Sequence, residues 1–225
     1  MIRRPPRSTP NDGRRQRHLT IPCEMCIRDS AESLYKNAVN VEDAETRYQY
    51  LFGAPPKDRK LYDQWVDAAI GNQGMSRYAV VDNESGEVLG SQCLMNIVTQ
   101  HGSIEIGSVL WGPLMARSRI ATEAFFLFTE YALGELGYRR YEWKCNNANI
   151  ASKRAAERFG FQFEGVFRNH MVIDGVNRDT AWFSIIDTEW PKLRSSFEDW
   201  LDKSNFDGDG RQVRDLKSFR DISRK

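Results

Sequence analysis

The sequence predicts an α/β fold with a mixed sheet, and three observations carry that prediction. Two stretches of helical spacing come first, a turn-rich hairpin follows, and the chain then runs strand, helix, strand, helix into a second hairpin. Its 225 residues, 40% hydrophobic and 28% charged, suffice to bury one sizeable core. No internal repeat is visible.

Folded sequence is expected from about Ala31. Ala31 to Tyr50 has helical spacing in Leu34, Tyr35, Ala38 and Val41, and Asp58 to Ile70 repeats it with Leu61, Trp65, Ala68 and Ala69. Ala54-Pro55-Pro56 breaks the two apart. Tyr78 to Val81 and Val88 to Gly90 flank Asp82-Asn83-Glu84-Ser85-Gly86 as hairpin strands, the second of them continuing through Cys93, Met95 and Ile97. Next, Ile104, Ile106, Ser108 and Leu110 alternate with Glu105, Gly107, Val109 and Trp111, so one face meets the core and the other presents a carboxylate and an indole.

A helix after Gly112-Pro113 carries the apolar stripe Ile120, Ala124, Leu127, Phe128, Tyr131 and Leu136, with Ser118 as N-cap and Gly137 as C-terminal αL residue. Tyr138 to Cys145 is a strand with Arg140, Glu142 and Lys144 on one side. Asn146-Asn147-Ala148-Asn149 caps a helix closed by Gly160, and Asp174-Gly175 turns the strands Phe161 to Ile173 and Arg178 to Asp187 into a hairpin. A last helix from Pro191 to about Leu201 precedes a polar tail.

Residues 1–30 stand apart. Arginines from Arg3 to Arg28 are interrupted by Pro5, Pro6 and Pro10 without apolar periodicity, so burial cannot offset the entropy of ordering and disorder is expected. No apolar segment follows the charges, which argues against a signal peptide; the arginine-rich, acid-poor composition is compatible with a mitochondrial transit peptide, but no amphipathic helix emerges through the prolines. Met1-Ile2-Arg3-Arg4-Pro5-Pro6-Arg7-Ser8-Thr9 and Cys26-Ile27-Arg28-Asp29-Ser30 resemble translated sequencing-adapter read-through, so the segment reads as non-native. The Cys23-x-x-Cys26 pair has no second ligand pair nearby and is not expected to hold zinc.

Composition narrows the function classes. The longest apolar runs fall far short of the roughly 18 residues of a membrane span, so no membrane association is expected. A net charge of +1 gives no global attraction to nucleic acid or anionic lipid. The histidines, 3 in all, are scattered, and no metal site is expected. Cys93 and Cys145 fall inside strands, where a free thiol packs as a small hydrophobe, and a reducing, cytoplasmic setting fits.

The ordered set Ile104-Glu105-Ile106-Gly107, Ala121-Thr122-Glu123-Ala124, Leu136-Gly137-Tyr138-Arg139-Arg140, Asn149-x-x-Ser152 and Gly160-Phe161-x-Phe163-Glu164-Gly165 resembles the GNAT-family N-acetyltransferases, in the group related to ribosomal-protein-alanine N-acetyltransferases. The likeness runs from about Ala31 to near Leu216, and Arg178 to Ser184 with Asn205-Phe206-Asp207 resembles one bacterial and fungal subgroup. The resemblance implies a mostly antiparallel sheet with helices on both faces, a V-shaped split between the two central strands, and an acetyltransferase domain over residues 31–190. The family's first strand has no candidate between Ala31 and Tyr50 and is expected to be missing or replaced.

It also implies a reaction. Acetyl-CoA would serve as cosubstrate, and a small amine or protein N-terminus would attack directly; a homodimer stays open. Proximity of thioester and amine is the larger share of such catalysis. Family members hold the pyrophosphate on backbone N–H groups at a helix start, here Arg117, Ser118, Arg119, Ile120, Ala121 and Thr122. Ala116 and Arg119 depart from the family's Gln/Arg-x-x-Gly-x-Gly/Ala pattern, and Arg119 either obstructs a phosphate, pairs with one, or is a solvated surface charge. Val109 and Leu110 lie on the strand whose backbone N–H polarises the thioester, and Asn149 is the asparagine near the pantetheine arm as well as an N-cap. Glu105 is the leading general base and Glu142 the runner-up, although Arg140 and Lys144 beside Glu142 suggest a salt-bridged face. Where many relatives have an acidic tyrosine this chain has Ala156, leaving Ser152 either to donate to the departing sulfur or to pack its helix. Acceptor recognition falls to Arg168 and His170 with Trp111 opposite, His170 facing either acceptor or solvent. Cys145 has no histidine near it in sequence and is not expected to be a nucleophile.

Overall fold

A computed structural model describes residues 25–222 apart from 71 and 73. The disorder expected of residues 1–30, and the Cys23–Cys26 pair, fall largely outside the described residues.

Helix α1 (Met25–Leu34) begins inside that arginine-rich segment and runs on as a π turn through Tyr35–Val39. Asn40 ends it, and α2 (Ala44–Tyr48) follows as a separate short helix, so the single periodic stretch from Ala31 to Tyr50 is divided. An asparagine whose amide competes for local backbone bonds is a natural break. Helix α3 (Arg59–Ile70) forms where expected, but the face it buries is corrected: Tyr62 and Val66 point into the core, whereas Leu61 and Ala68 are exposed. These helices share a core with Leu34, Tyr62, Val66 and Leu110 against one face of the sheet.

The sheet contains β1 (Met75–Val81), β2 (Val88–Val98), β3 (Ser103–Trp111), β4 (Arg140–Asn146), β5 (Gln162–Ile173) and β6 (Val176–Ile186), in the order β1-β2-β3-β4-β6-β5. Among the described residues no strand precedes β1, which is therefore an edge. Every neighbouring pair is antiparallel except β3–β4. The β5–β6 turn puts Asp174 and Gly175 at φ 48° and 77°, the positive pair a tight hairpin requires.

On the other face lie α4 (Arg119–Thr129), prolonged by a π segment (Glu130–Glu135), α5 (Ile150–Phe159), α6 (Trp190–Leu201) and α7 (Leu216–Ile222). Aromatic packing dominates there: the Phe125 and Phe159 rings stack with centroids 4.1 Å apart, beside Tyr141, Phe161 and Phe197. The stretch read as a polar tail folds back onto this core. Asn205 is buried and bonds Trp200 O, Arg214 O and Arg214 N, while Leu216 is fully buried. A polar side chain holds that turn together, which is why its sequence reads as solvated.

Two features shape the middle of the sheet. Parallel pairing of β3 with β4 runs from Ser103↔Arg140 to Ile106↔Trp143 and stops there. Beyond it, β3 stays with β2 as far as Trp111↔Gly90, and β4 stays with β6 as far as Asn146↔Thr180, so the two strands diverge into a V. The second feature is a bulge. Register passes from Ser91↔Leu110 to Cys93↔Gly107, so Ser108 and Val109 oppose Gln92 alone, with Ser108 at φ 47°. One extra residue reverses the alternation. Ile104, Ile106, Val109 and Trp111 therefore meet the α4–α7 core, whereas Leu110 joins the α1–α3 core. The strict alternation read from the sequence is corrected here: Glu105 and Trp111 lie on opposite faces.

Candidate functional site

The split opens onto a cavity of about 830 Å³, lined on one side by Gly107, Ser108, Val109 and Trp111, and on the other by Lys144, Cys145 and Asn146. Its outline follows from the bulge. Arg77 on β1 donates from Nη2 to Ser108 Oγ at 2.7 Å and from Nη1 to Ser91 Oγ at 3.2 Å, and its guanidinium lies 4.8 Å over the Trp65 ring. This cation holds the left-handed Ser108 in place without itself lining the cavity. Beyond Ile106 the open side of β3 has no β4 partner, so backbone groups face the cavity rather than a neighbouring strand.

Glu105 is only 5% exposed and lines the cavity. A buried carboxylate needs partners. Its Oε2 accepts from Lys144 Nζ at 2.8 Å and from Asn96 Nδ2 at 2.7 Å. Lys144 also bonds Glu142 Oε2 at 2.8 Å, and Glu142 Oε1 accepts from Arg140 Nε at 2.7 Å. Arg140 then grips Glu164 through two bonds of 2.6 Å. Parallel register places Glu105 beside Glu142, which is why one ammonium serves both. Burial raises the Glu142 carboxyl, but the bonds from Lys144 and Arg140 outweigh it and hold the group below its ordinary range.

Two helix starts flank the split. Asn149 Oδ1 caps α5 by accepting from Ser152 N at 3.0 Å, and Asn149, Ala151, Ser152 and Ala155 line the cavity. Ser152 Oγ in turn accepts from Trp143 Nε1 at 2.9 Å. Ser118 Oγ caps α4 by accepting from Ala121 N at 3.3 Å, after Arg117 at φ 65°. Arg119 and Ile120 precede the first intrahelical bond, so their N–H groups are the ones the cap leaves over. The cavity meets this turn at Ala116, and residues 117–122 lie outside its lining.

The remaining anticipated residues separate into those the fold brings in and those it does not. Arg119 donates from Nη2 to Leu201 O at 2.7 Å and lies 4.5 Å over the Phe206 ring, so its charge is engaged with the folded tail. Thr122 is buried and takes a bond from Arg158 Nη1 at 3.0 Å, and the Leu110 side chain is fully buried. Trp111 lines the cavity but is tied to the core, donating from Nε1 to Gln92 Oε1 at 3.2 Å and packing edge-on against Phe159. On β5 the register passes from Phe167↔Thr180 to Met171↔Arg178 through Asn169 at φ 50°, so the regular pleat is interrupted between Arg168 and His170. His170 reaches the cavity rim with Nδ1 3.0 Å from Thr180 Oγ1, whereas Arg168 is exposed and outside the lining. Burial pushes the Cys145 thiol up, which suits packing rather than attack.

Sequence reasoning missed Asn96, Arg178 and Trp182, and paired Lys144 with Glu142 without its bond to Glu105; all four line the cavity. The alternation of Glu142 and Lys144 signals the first of these pairings, whereas the left-handed Asn96 (φ 48°) carries no signal. Among the described residues no three His, Cys, Asp or Glu side chains stand together as metal ligands, and no helix is long and apolar enough to cross a membrane.

Known proteins place this geometry. A family model described as an acetyltransferase (GNAT) domain matches residues 25–162. A GCN5-related N-acetyltransferase from Brucella melitensis is 51% identical in a solved structure, with TM-score 0.84, covering 87% of this chain and 88% of that one. A solved GNAT-family protein from Chromobacterium violaceum is 38% identical at TM-score 0.62, covering 73% and 85%. The uncharacterized N-acetyltransferase p20 of Bacillus licheniformis is 29% identical over 177 residues, which is 71% of this chain and 96% of that protein.

Proposed function

This chain belongs to the GNAT acetyltransferase family, and on that footing we propose that it moves an acetyl group from acetyl-CoA to a primary amine, on a small molecule or a protein N-terminus, by direct attack. The observation that carries the proposal is the end of β3–β4 pairing at Ile106↔Trp143, where a slot with free backbone groups opens into a cavity holding a buried carboxylate. A thioester arm has the width of an extended chain and fits where a strand is missing. Backbone N–H groups about Val109 and Leu110 polarise the thioester carbonyl. The helix starts at Asn149 and at Arg117 to Thr122 receive the pantetheine and pyrophosphate, the latter on the amides of Arg119 and Ile120.

Glu105 takes the proton from the ammonium, directly or through water. Asn96 and Lys144 fix its carboxylate in orientation, and Glu142 shares the ammonium so that Glu105 is not fully neutralised. With Trp143 donating into its oxygen, the Ser152 hydroxyl keeps its own proton for the departing sulfur. His170 and Trp182 face the acceptor. Thiol release from acetyl-CoA across a panel of amines, read colorimetrically, tests the assignment: release that depends on amine supports it. Tight acetyl-CoA binding without release for any amine supports instead a silent acyl-CoA-binding module, the reading favoured by Ala156 and by the engagement of Arg119 with Leu201.

A further inference from the structure

Among the described residues, one cation of the cavity lining has no carboxylate partner. Arg178 on β6 lines the cavity half-buried; its Nε is buried without a hydrogen-bond partner, and no carboxylate among the described residues pairs with it. Other cations of the lining are matched: Arg47 to Asp43, and Lys144 to Glu105 and Glu142. Four residues along the same strand, Trp182 Nε1 is also buried without a partner and also lines the cavity, with Lys144 Nζ 4.0 Å above its ring. A buried donor left unmade is costly, and native proteins keep one where something else supplies the acceptor.

Two donors and no acceptor select an anion, and a planar guanidinium fork matches a carboxylate. Placement sets the rest. Residues 178, 180, 182 and 184 share one face of β6. Ser184 is in register with Glu142, and Glu142 with Glu105, so the acid pair and Arg178 stand at opposite ends of that face with Thr180 and Trp182 between them. We propose that the acceptor is an amine that also carries a carboxylate, the amine directed to Glu105 and the carboxylate received by Arg178 with Trp182 Nε1. This rests on the acetyltransferase reading above and narrows its acceptor from amines in general to amino acids.

The test pairs binding with turnover. Wild type, Arg178→Met and Arg178→Lys are titrated calorimetrically with ε-acetamidocaproate and with N-hexylacetamide, a product-like pair of which only the first bears a carboxylate. Wild type is expected to bind the acid at least about tenfold more tightly, Arg178→Met to lose the preference, and Arg178→Lys to keep part of it, with acetyl-CoA affinity changing less than about twofold in either variant. Equal or absent binding of the two by wild type overturns the inference. So does an acetyl-CoA affinity that falls in Arg178→Met as far as the acid's, since the guanidinium would then serve the cosubstrate. In parallel, glycine, β-alanine and ε-aminocaproate are compared with the n-alkylamines of matching length in thiol release. Preferred acid binding without acetylation of any amine removes the acetyltransferase reading and leaves the carboxylate site standing, whereas equal turnover of acids and alkylamines removes the carboxylate site alone.

Discussion

On the β3 arm of the split, the cation that matters sits behind the strand: Arg77 ties Ser108 and Ser91 together from outside the cavity. On the β4–β6 arm the cations sit inside it, Lys144 between two carboxylates and Arg178 without a carboxylate partner among the described residues. One arm uses charge to fix a backbone shape, and the other places charge where a reacting amine arrives. Damage to the first should therefore spread to folding, cosubstrate binding and turnover together, whereas damage to the second should separate turnover from cosubstrate binding.

The largest effect is expected from Arg77→Met. It deletes the charged bonds to the bulge, at roughly 1.5–3 kcal/mol each for such bonds. Chemical denaturation should show lower stability, and thiol release should show kcat/KM down by about a hundredfold with weaker acetyl-CoA binding. Unchanged affinity would break the claim that the bulge shapes the slot. Next comes Glu105→Gln, expected to lower kcat by about a hundredfold, the scale of a lost general base, while acetyl-CoA affinity holds. Equal activity in that variant would remove Glu105 from the mechanism. Asn149→Ala should do the reverse on a smaller scale, losing about 1 kcal/mol of helix cap and several-fold in acetyl-CoA affinity with kcat little changed.

The smallest effect concerns pH. The bond from Arg140 holds the Glu164 carboxyl below its ordinary range. A group depressed in the folded state adds stability above its unfolded pKa, about 4.3 for glutamate, and loses that stability as pH falls through the folded value. Melting temperatures of wild type should therefore drop below about pH 4.3 more steeply than those of Glu164→Gln. Parallel curves would show that this outer link of the charge chain contributes nothing.

Much of this architecture was legible. Turn residues such as Asp174-Gly175 and caps such as Ser118 and Asn149 act through local backbone bonds, so sequence alone places them. What escaped depends on register and on distant partners. At Ser108 a left-handed non-glycine residue adds one position to β3 and inverts its face, moving Trp111 away from Glu105, and at Asn169 residues 168–170 of β5 oppose Asp179 alone, so Arg168 stays outside the lining that His170 joins. Glu105 and Lys144 lie 39 positions apart and meet only because parallel strands set them side by side. Arg119 looked like a phosphate ligand because its partners, the Leu201 carbonyl at the end of α6 and the Phe206 ring of the folded tail, lie far from it in sequence.

The most direct measurement is a crystal structure with coenzyme A bound. The thiol-bearing arm is expected between Gly107–Trp111 and Lys144–Asn146, with the pyrophosphate on the amides of Arg119 and Ile120. Coenzyme A seated elsewhere, with those amides turned to solvent and the slot closed by side chains, would contradict the account.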